Sequence, residues 1–205
     1  MTRKEKIIYA ALELASEYGL KAVSLGQIAD KVGIKKPSLY NHFASKDEII
    51  SEMYSVLREQ AQRQSAISAD YTSMFEGNSL ETVLTACLSA YMSFLSDKDM
   101  LSFFKVLYSE RSTSSAAAQI MVEETERMIS STKALFYALV VHGKMKNESV
   151  DTAAMSYAMT IHSLVDRQLD IMTANDRPIC IPEISEDMKE YINWFCKHME
   201  VAEHE

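Results

Sequence analysis

The chain has 205 residues, of which 47% are hydrophobic and 24% charged, and its formal net charge is −8. These are ordinary globular values, and they exclude a disordered or collagen-like chain. Only five Gly and three Pro occur, too few for the turns of an all-β sandwich or barrel. The composition therefore predicts an all-α fold.

Apolar runs, cysteines and local charge narrow the class further. No apolar run reaches the roughly 18 residues of a membrane span, and the amino terminus lacks a signal-peptide pattern, so we expect a cytoplasmic protein. Cys87, Cys180 and Cys196 are widely spaced, which is typical of reduced thiols. Residues 1–48 hold eight Lys and Arg against six Asp and Glu, whereas residues 49–205 hold thirteen against twenty-three. Only the amino-terminal segment is thus suited to approach an anion.

The first helices are predicted from capping boxes, in which a Ser, Thr or Asn and a Glu or Gln three residues later satisfy two free backbone donors. Such pairs are Thr2 with Glu5, Ser24 with Gln27, Ser45 with Glu48, and Asn78 with Glu81. Apolar spacing then predicts helices over about 3–18, 25–32 and 46–64. Before the last of these, Pro37 and the Leu39–Phe43 spacing predict a helix of barely two turns.

The rest of the chain is predicted to hold four or five longer helices. Residues 65–78 are polar without a sustained period, which is typical of a linker. The helices that follow are predicted over about 79–96, 99–109, 115–142, 150–174 and 184–202. The prediction is about nine helices, arranged as an amino-terminal three-helix helix-turn-helix domain and a carboxyl-terminal helical domain.

Residues 25–44 have the spacing of a helix-turn-helix. Gly33 suits the positive φ of the turn, Ala29 is small where the helices cross, and apolar residues occupy the positions that face inward, namely Ile28, Val32, Ile34 and Leu39. An ordinary helical hairpin shares this pattern. DNA binding is favoured because Lys35 and Lys36 stand at an uncapped helix amino end, where a phosphate would supply the missing acceptor and the opposite charge.

At these positions the chain resembles the DNA-binding domain of the TetR family of bacterial transcriptional regulators. The resemblance covers residues 7–50 and rests on Ala10-Ala11, Gly19, Ser24, Ile28-Ala29, Gly33, Leu39-Tyr40, His42-Phe43 and Lys46. Beyond them it is limited to length and helical character. One departure is Lys35, where many members have a capping Ser.

The resemblance implies a role for each matching position. Tyr40 and His42 are expected on phosphates, with Ser38 and Asn41 nearer base edges. The alternatives to DNA contact are partial core packing for Tyr40 and an ordinary surface position for His42. Ser24 would cap the second helix at the DNA backbone. The predicted DNA-binding set is Ser24, Lys35, Lys36, Pro37, Ser38, Tyr40, Asn41, His42 and Lys46.

The resemblance also implies three functional segments: residues 1–46 for DNA binding, 47–66 as a connecting helix, and 67–205 for effector binding and dimerisation. The segments 150–174 and 184–202 carry more apolar surface than one fold needs, so we expect a homodimer through them rather than a thick monomeric bundle. The predicted partners are an inverted-repeat duplex operator and a small-molecule effector, with no cofactor and no membrane. The candidate effector residues are large and mostly polar-tipped: Tyr91, Phe94, Phe104, Tyr108, Met128, Tyr137 and His162.

Two other classes compete with this interpretation. His162, Asp166 and Asp170 share a helix face and, with His142, would suit a metal enzyme. The chain has no H-E-x-x-H, phosphate-binding Gly loop or G-x-S-x-G, so we predict neither a metal nor an enzyme. A helical adaptor that retains the motif without binding DNA is the third class.

Overall fold

The computed structural model describes residues 1–64, 72–175 and 183–201, and all of its regular elements are helices. In chain order they are α1 (Arg3–Tyr18), α2 (Leu25–Val32), α3 (Lys36–Leu39), α4 (Lys46–Gln64), α5 (Thr72–Phe75), α6 (Leu80–Leu95), α7 (Lys98–Glu110), α8 (Ser115–Val141), α9 (Val150–Ala174) and α10 (Glu186–Met199). The predicted all-α fold is confirmed. Two separately packed units divide the chain.

The first unit contains residues 1–66 together with 97–121. Here α1 packs against α2, α4 and α7, because its apolar side chains between residues 7 and 15 are buried. The core of this unit is formed by fully buried side chains that include Ile7, Leu12, Ile28, Leu39, Ile49, Met53, Leu57 and Phe103. The short α2 and α3 have little apolar surface of their own, so their position depends on packing against this core.

The second unit contains residues 67–96 together with 122–205. In it α10 packs against both α6 and α9. The rings of Phe136, Tyr157 and Phe195 meet at centroid distances of 5.0 to 5.5 Å and form its aromatic core. The amino end of α6 contacts the carboxyl end of α10, since the Leu80 N–H donates to the Glu200 carboxylate at 3.3 Å.

Three predicted details of the helices are wrong. The helix after Gly33 is one turn, Lys36–Leu39, and the chain turns at once through residues 40–42. The predicted linker contains α5, where Phe75 is 1% exposed; residues 65–71 of that linker lie outside the described residues. Ser79 caps α6 in place of Asn78, whose side-chain amide donates to the Met74 carbonyl.

The other capping boxes follow the prediction more closely. Thr2 and Ser24 form complete boxes with Glu5 and Gln27. The Ser45 hydroxyl accepts from the Glu48 N–H at 3.1 Å, but the Glu48 carboxylate accepts from the Ala44 N–H instead of from Ser45. The functional division at residues 46 and 66 stays a prediction, although the packing groups 97–121 with the amino-terminal segment.

Candidate nucleic-acid interface

The helix-turn-helix begins at a well-formed cap. The Ser24 hydroxyl accepts from the Gln27 N–H at 3.3 Å, and the Gln27 side chain accepts from the Ser24 N–H at 2.8 Å. α2 ends at Gly33, whose φ of +71° lies in the left-handed region that a side chain disfavours. The Ile34 N–H then donates back to the Ala29 carbonyl at 3.0 Å, which closes the turn before α3.

The short helix α3 presents a polar outer surface on an apolar anchor. Leu39 is fully buried and fixes the inner side of the turn. Lys35, Lys36, Pro37 and Asn41 are exposed, whereas Ser38 and His42 are half-buried. Tyr40 is 50% exposed, so its ring is not a core group. The structure thus brings the predicted recognition residues together on one accessible turn.

The amino end of α3 is uncapped, as the sequence predicts. Lys35 occupies the N-cap position in extended backbone, and its side chain makes no capping hydrogen bond. Pro37 in the first turn has no N–H, and the Ser38 N–H donates to the Lys35 carbonyl at 2.8 Å. Two exposed lysines at a helix start without a side-chain cap form the kind of site that a phosphate oxygen occupies.

Lys46, a member of the predicted DNA-binding set, makes a hydrogen bond within the chain. Its ammonium donates to the Leu20 carbonyl at 2.7 Å, and the side chain is partly buried. Lys46 therefore braces the turn that follows α1. Ser24 is likewise engaged, through the Gln27 N–H.

The sequence analysis missed a cation beside this surface. The Lys4 ammonium lies 5.4 Å from the centroid of the Phe43 ring, a cation–π distance. Lys4 is exposed and adjoins Arg3, so the start of α1 adds positive charge close to the end of the recognition turn. The basic run at residues 3–6 was visible in the sequence, but its contact with Phe43 depends on the fold.

The candidate effector residues are divided between the two units. Phe104 and Tyr108 belong to the first unit, where the Arg111 guanidinium lies 4.7 Å from the Tyr108 ring centroid. Tyr91, Phe94, Met128, Tyr137 and His162 belong to the second unit. Of these, Tyr137 is 48% exposed and its hydroxyl donates to Asp151 at 3.4 Å.

Tyr91 and His162 share a neighbour within the second unit. Burial first, and then the Asp166 carboxylate, raise the pKa of Tyr91. The His162 Nε2 lies 3.8 Å from an Asp166 carboxylate oxygen. These side chains form a small polar group between α6 and α9, whereas contact of any candidate residue with an effector stays a prediction.

The two carboxyl-terminal helices expose part of their apolar surface. Met155, Met159 and Ile171 on α9 are 52%, 41% and 45% exposed, and Trp194 on α10 is 55% exposed. Ile161 and Phe195, which lie in the two segments predicted to form the dimer, are 5% and 4% exposed and pack inside one protomer. A charged residue at either position would therefore disrupt the core of the second unit.

The residues considered for a metal enzyme do not form a metal site within the part of the chain that the structure describes. His142 packs edge-on against Phe75 with ring centroids 5.0 Å apart. Across residues 1–64, 72–175 and 183–201 no group of three His, Cys, Asp or Glu side chains is arranged to hold a metal ion. Over the same ranges, no helix has the length and apolar character of a membrane span.

Known proteins resemble both parts of the chain. Residues 7–53 match the model of bacterial regulatory proteins of the tetR family, and residues 82–196 match the carboxyl-terminal domain of AefR-like transcriptional repressors. A curated relative is the HTH-type transcriptional repressor KstR2 of Mycobacterium tuberculosis, 40% identical over 52 residues. That match covers 25% of this chain and only 26% of the relative.

Solved structures extend the likeness to the whole fold. A putative TetR-family transcriptional regulator from Mesorhizobium loti superposes with a TM-score of 0.72 at 20% identity, covering 97% of both chains. A putative transcriptional regulator from Saccharomonospora viridis in complex with choline gives a TM-score of 0.66 at 16% identity, covering 97% of this chain and 98% of that one. At such identities the likeness establishes the fold alone. Taken with the two family models, which together account for most of the sequence, it places the chain in the TetR family of transcriptional regulators, whose members are not enzymes.

Proposed function

We propose that this chain is a ligand-responsive repressor that binds an inverted-repeat operator as a homodimer in the bacterial cytoplasm. The observation that carries DNA binding is the exposed polar surface of α3, with its uncapped amino end and two lysines. A solvated surface turn has no need of this combination, because the cations oppose the helix macrodipole. A phosphate at that end supplies both the missing acceptor and the opposite charge.

Roles within the recognition turn follow from exposure and chemistry. Tyr40 is half exposed and suited to donate its hydroxyl to a phosphate, while Lys35 and Lys36 provide charge at the helix start. Ser38 and Asn41 carry groups that read base edges in the major groove. His42 contacts a phosphate, and Ser24 meets the DNA backbone at the start of α2.

A homodimer is supported by the exposed apolar side chains on α9 and α10. Trp194, Met155, Met159 and Ile171 are each more than two-fifths exposed, an arrangement that a second copy would cover. A two-fold dimer reads a two-fold site, so the operator is an inverted repeat with half-sites about one helical turn apart or a multiple of it.

Response to a small molecule is supported by the relatives and by the second unit. One structural neighbour, from Saccharomonospora viridis, is in complex with choline. In this chain Tyr91, His162 and Asp166 provide hydrogen-bonding groups among apolar helices, which is the composition of a ligand pocket. The effector changes operator affinity because it binds one of two conformations more tightly.

The test is selection of duplex DNA from a random pool by the purified chain, followed by titration of the selected operator. Lys36→Ala should weaken binding and lower the slope of log affinity against log salt by about 0.9, the loss expected for one phosphate contact. Lys105→Ala removes an exposed lysine on α7 and is the matched control. Asn41→Ala should change the selected sequence itself. Selection of no duplex, or equal salt slopes in both lysine variants, would refute the assignment.

A further inference from the structure

We infer that Glu13 is a positioning residue for DNA binding, which joins the helix-turn-helix to α7; this inference rests on the function proposed above. Glu13 lies on α1 and bridges two lysines. Its carboxylate is 3.1 Å from the Lys31 ammonium near the end of α2 and 3.6 Å from the Lys98 ammonium at the start of α7. One side chain thus connects two helices that are more than sixty residues apart in sequence.

A shift of α2 also moves the turn formed by residues 36–42, because α2 and α3 share one buried core. Ile28 and Ala29 of α2 and Leu39 of α3 are all within 1% of complete burial. The backbone bond from Ile34 to Ala29 closes the connection between them. The position of Lys31 relative to α7 therefore determines the direction in which the surface of α3 points.

The ion pairs border an open cleft. A cavity of about 300 Å³ lies among α1, α2 and α7, and its walls include Lys6, Tyr9, Val32 and Ser102 besides the ion pairs. The helices α1, α2 and α7 are therefore not closely packed on this side, and packing does not resist a shift of α2 relative to α7. The Glu13 contacts stabilise the described arrangement of α2 and α7 where packing does not.

The hydroxyl of Tyr54 acts against the arrangement of α7 that Glu13 stabilises. Tyr54 of α4 packs on Phe103 of α7 with ring centroids 6.2 Å apart, and it is 7% exposed. Its hydroxyl makes no hydrogen bond to any residue that the structure describes. The Glu110 carboxylate, also buried on α7, acts electrostatically on it and, after burial, raises the pKa of Tyr54. A buried hydroxyl without an acceptor raises the free energy of this arrangement. A small shift of α7 along α4 that brings Glu110 to the hydroxyl would lower it.

The Glu13 ion pairs and the Tyr54 hydroxyl together give a prediction. It holds whether DNA binds the described arrangement of α7 or a shifted one. Glu13→Gln removes a contact that favours the described arrangement, whereas Tyr54→Phe removes a group that disfavours it. If operator binding selects between arrangements of α7, the two substitutions must shift operator affinity in opposite directions. Exposed ion pairs are weak, so we expect shifts of about two- to fivefold for Glu13→Gln. Tyr54→Phe should give at least as large a shift of opposite sign.

The experiment titrates selected operator DNA with the full chain and its variants at low and high salt. Glu17→Gln, on the same helix and exposed, is the matched control for charge. Lys98→Ala should reproduce the Glu13→Gln shift, and Lys98→Arg should restore wild-type affinity. High salt should shrink the Glu13 effect relative to the wild type and leave the Tyr54 effect, because salt screens only the ion pairs.

The outcomes separate this inference from the proposed function. Opposite shifts, with Glu17→Gln unchanged and all variants folded by circular dichroism, support the role of Glu13. Shifts in the same direction, or no shift in either variant, overturn it while leaving DNA binding intact. A wild-type chain that selects no duplex would remove the proposed function, and this inference with it.

Discussion

Trp194 provides the strongest quantitative test of the proposed dimer. It is 55% exposed on α10, and its indole stacks on Tyr191 with ring centroids 6.0 Å apart, which holds the ring in place at the surface. An aromatic side chain of this size presents up to about 250 Å², so roughly 140 Å² of it faces solvent in one protomer.

The cost of removing this ring can be estimated from that area. At about 25 cal/mol per Å², full burial of both copies would contribute roughly 7 kcal/mol. Binding also orders side chains and leaves the rim wet, so we take about half of that figure. Trp194→Ala should then weaken dimerisation by about 3 kcal/mol, which is a rise in Kd of about a hundredfold.

Sedimentation equilibrium over a range of protein concentrations measures this Kd directly. Tyr18→Ala is the matched control, because Tyr18 is an aromatic residue with 56% exposure on α1 and lies outside the predicted interface. Operator affinity should fall with the dimer in the Trp194 variant and stay unchanged in the control. A monomeric wild-type chain at micromolar concentration, or equal Kd values for wild type and Trp194→Ala, would refute the interface.

Three further predictions concern stability and reactivity. Gly33→Ala should lower the free energy of unfolding by about 1–2 kcal/mol, because φ is +71° there. Gly26→Ala is its control and should be neutral or stabilising in thermal denaturation, since a Cβ at that helical position would meet only Ser24 Oγ at 3.7 Å. Lys31, followed by a smaller effect of Lys98, lowers the pKa of Glu13. The stability that this carboxylate contributes is therefore present above its ordinary pKa and lost as the pH falls through the lowered value. The melting temperature of Glu13→Gln should accordingly decline less on acidification than that of the wild type. Burial raises the pKa of Cys196 to about 12, so peptide mapping after brief alkylation at neutral pH should find this thiol unmodified until denaturant is added.

Local signals in the sequence predicted most helix boundaries. The capping boxes at Thr2 and Ser24 act within four residues of chain, and both form as predicted. The sequence pattern alone did not decide whether Asn78 or the adjacent Ser79 caps α6. In the structure the Asn78 amide donates to the Met74 carbonyl, and the Ser79 hydroxyl accepts from the Thr82 N–H. α5 was missed because its single turn owes its position to the burial of Phe75 against His142, a contact between distant segments.

The site depended on tertiary structure to a larger extent. The exposure of α3 followed from the motif, whereas the contact between Lys4 and Phe43 and the bond from Lys46 to Leu20 needed the packed helices. Periodicity identified apolar residues that share a face on α9 and α10. It did not show which of these side chains pack within the protomer: Phe195 is 4% exposed, whereas the adjacent Trp194 is 55% exposed.

The charge distribution along the chain adds an argument about how DNA is approached. The net charge is −8, although residues 1–48 hold more Lys and Arg than Asp and Glu. A phosphate backbone repels the acidic majority of the chain and is attracted only by the segment that carries Lys35 and Lys36. Non-specific affinity should therefore be low and should depend on few phosphate contacts, so that base contacts from Ser38 and Asn41 account for a large share of operator discrimination. In competition assays Asn41→Ala should narrow the affinity gap between operator and random duplex, while Lys36→Ala should weaken both alike. Equal narrowing by the two variants would show that this division between phosphate and base contacts is wrong.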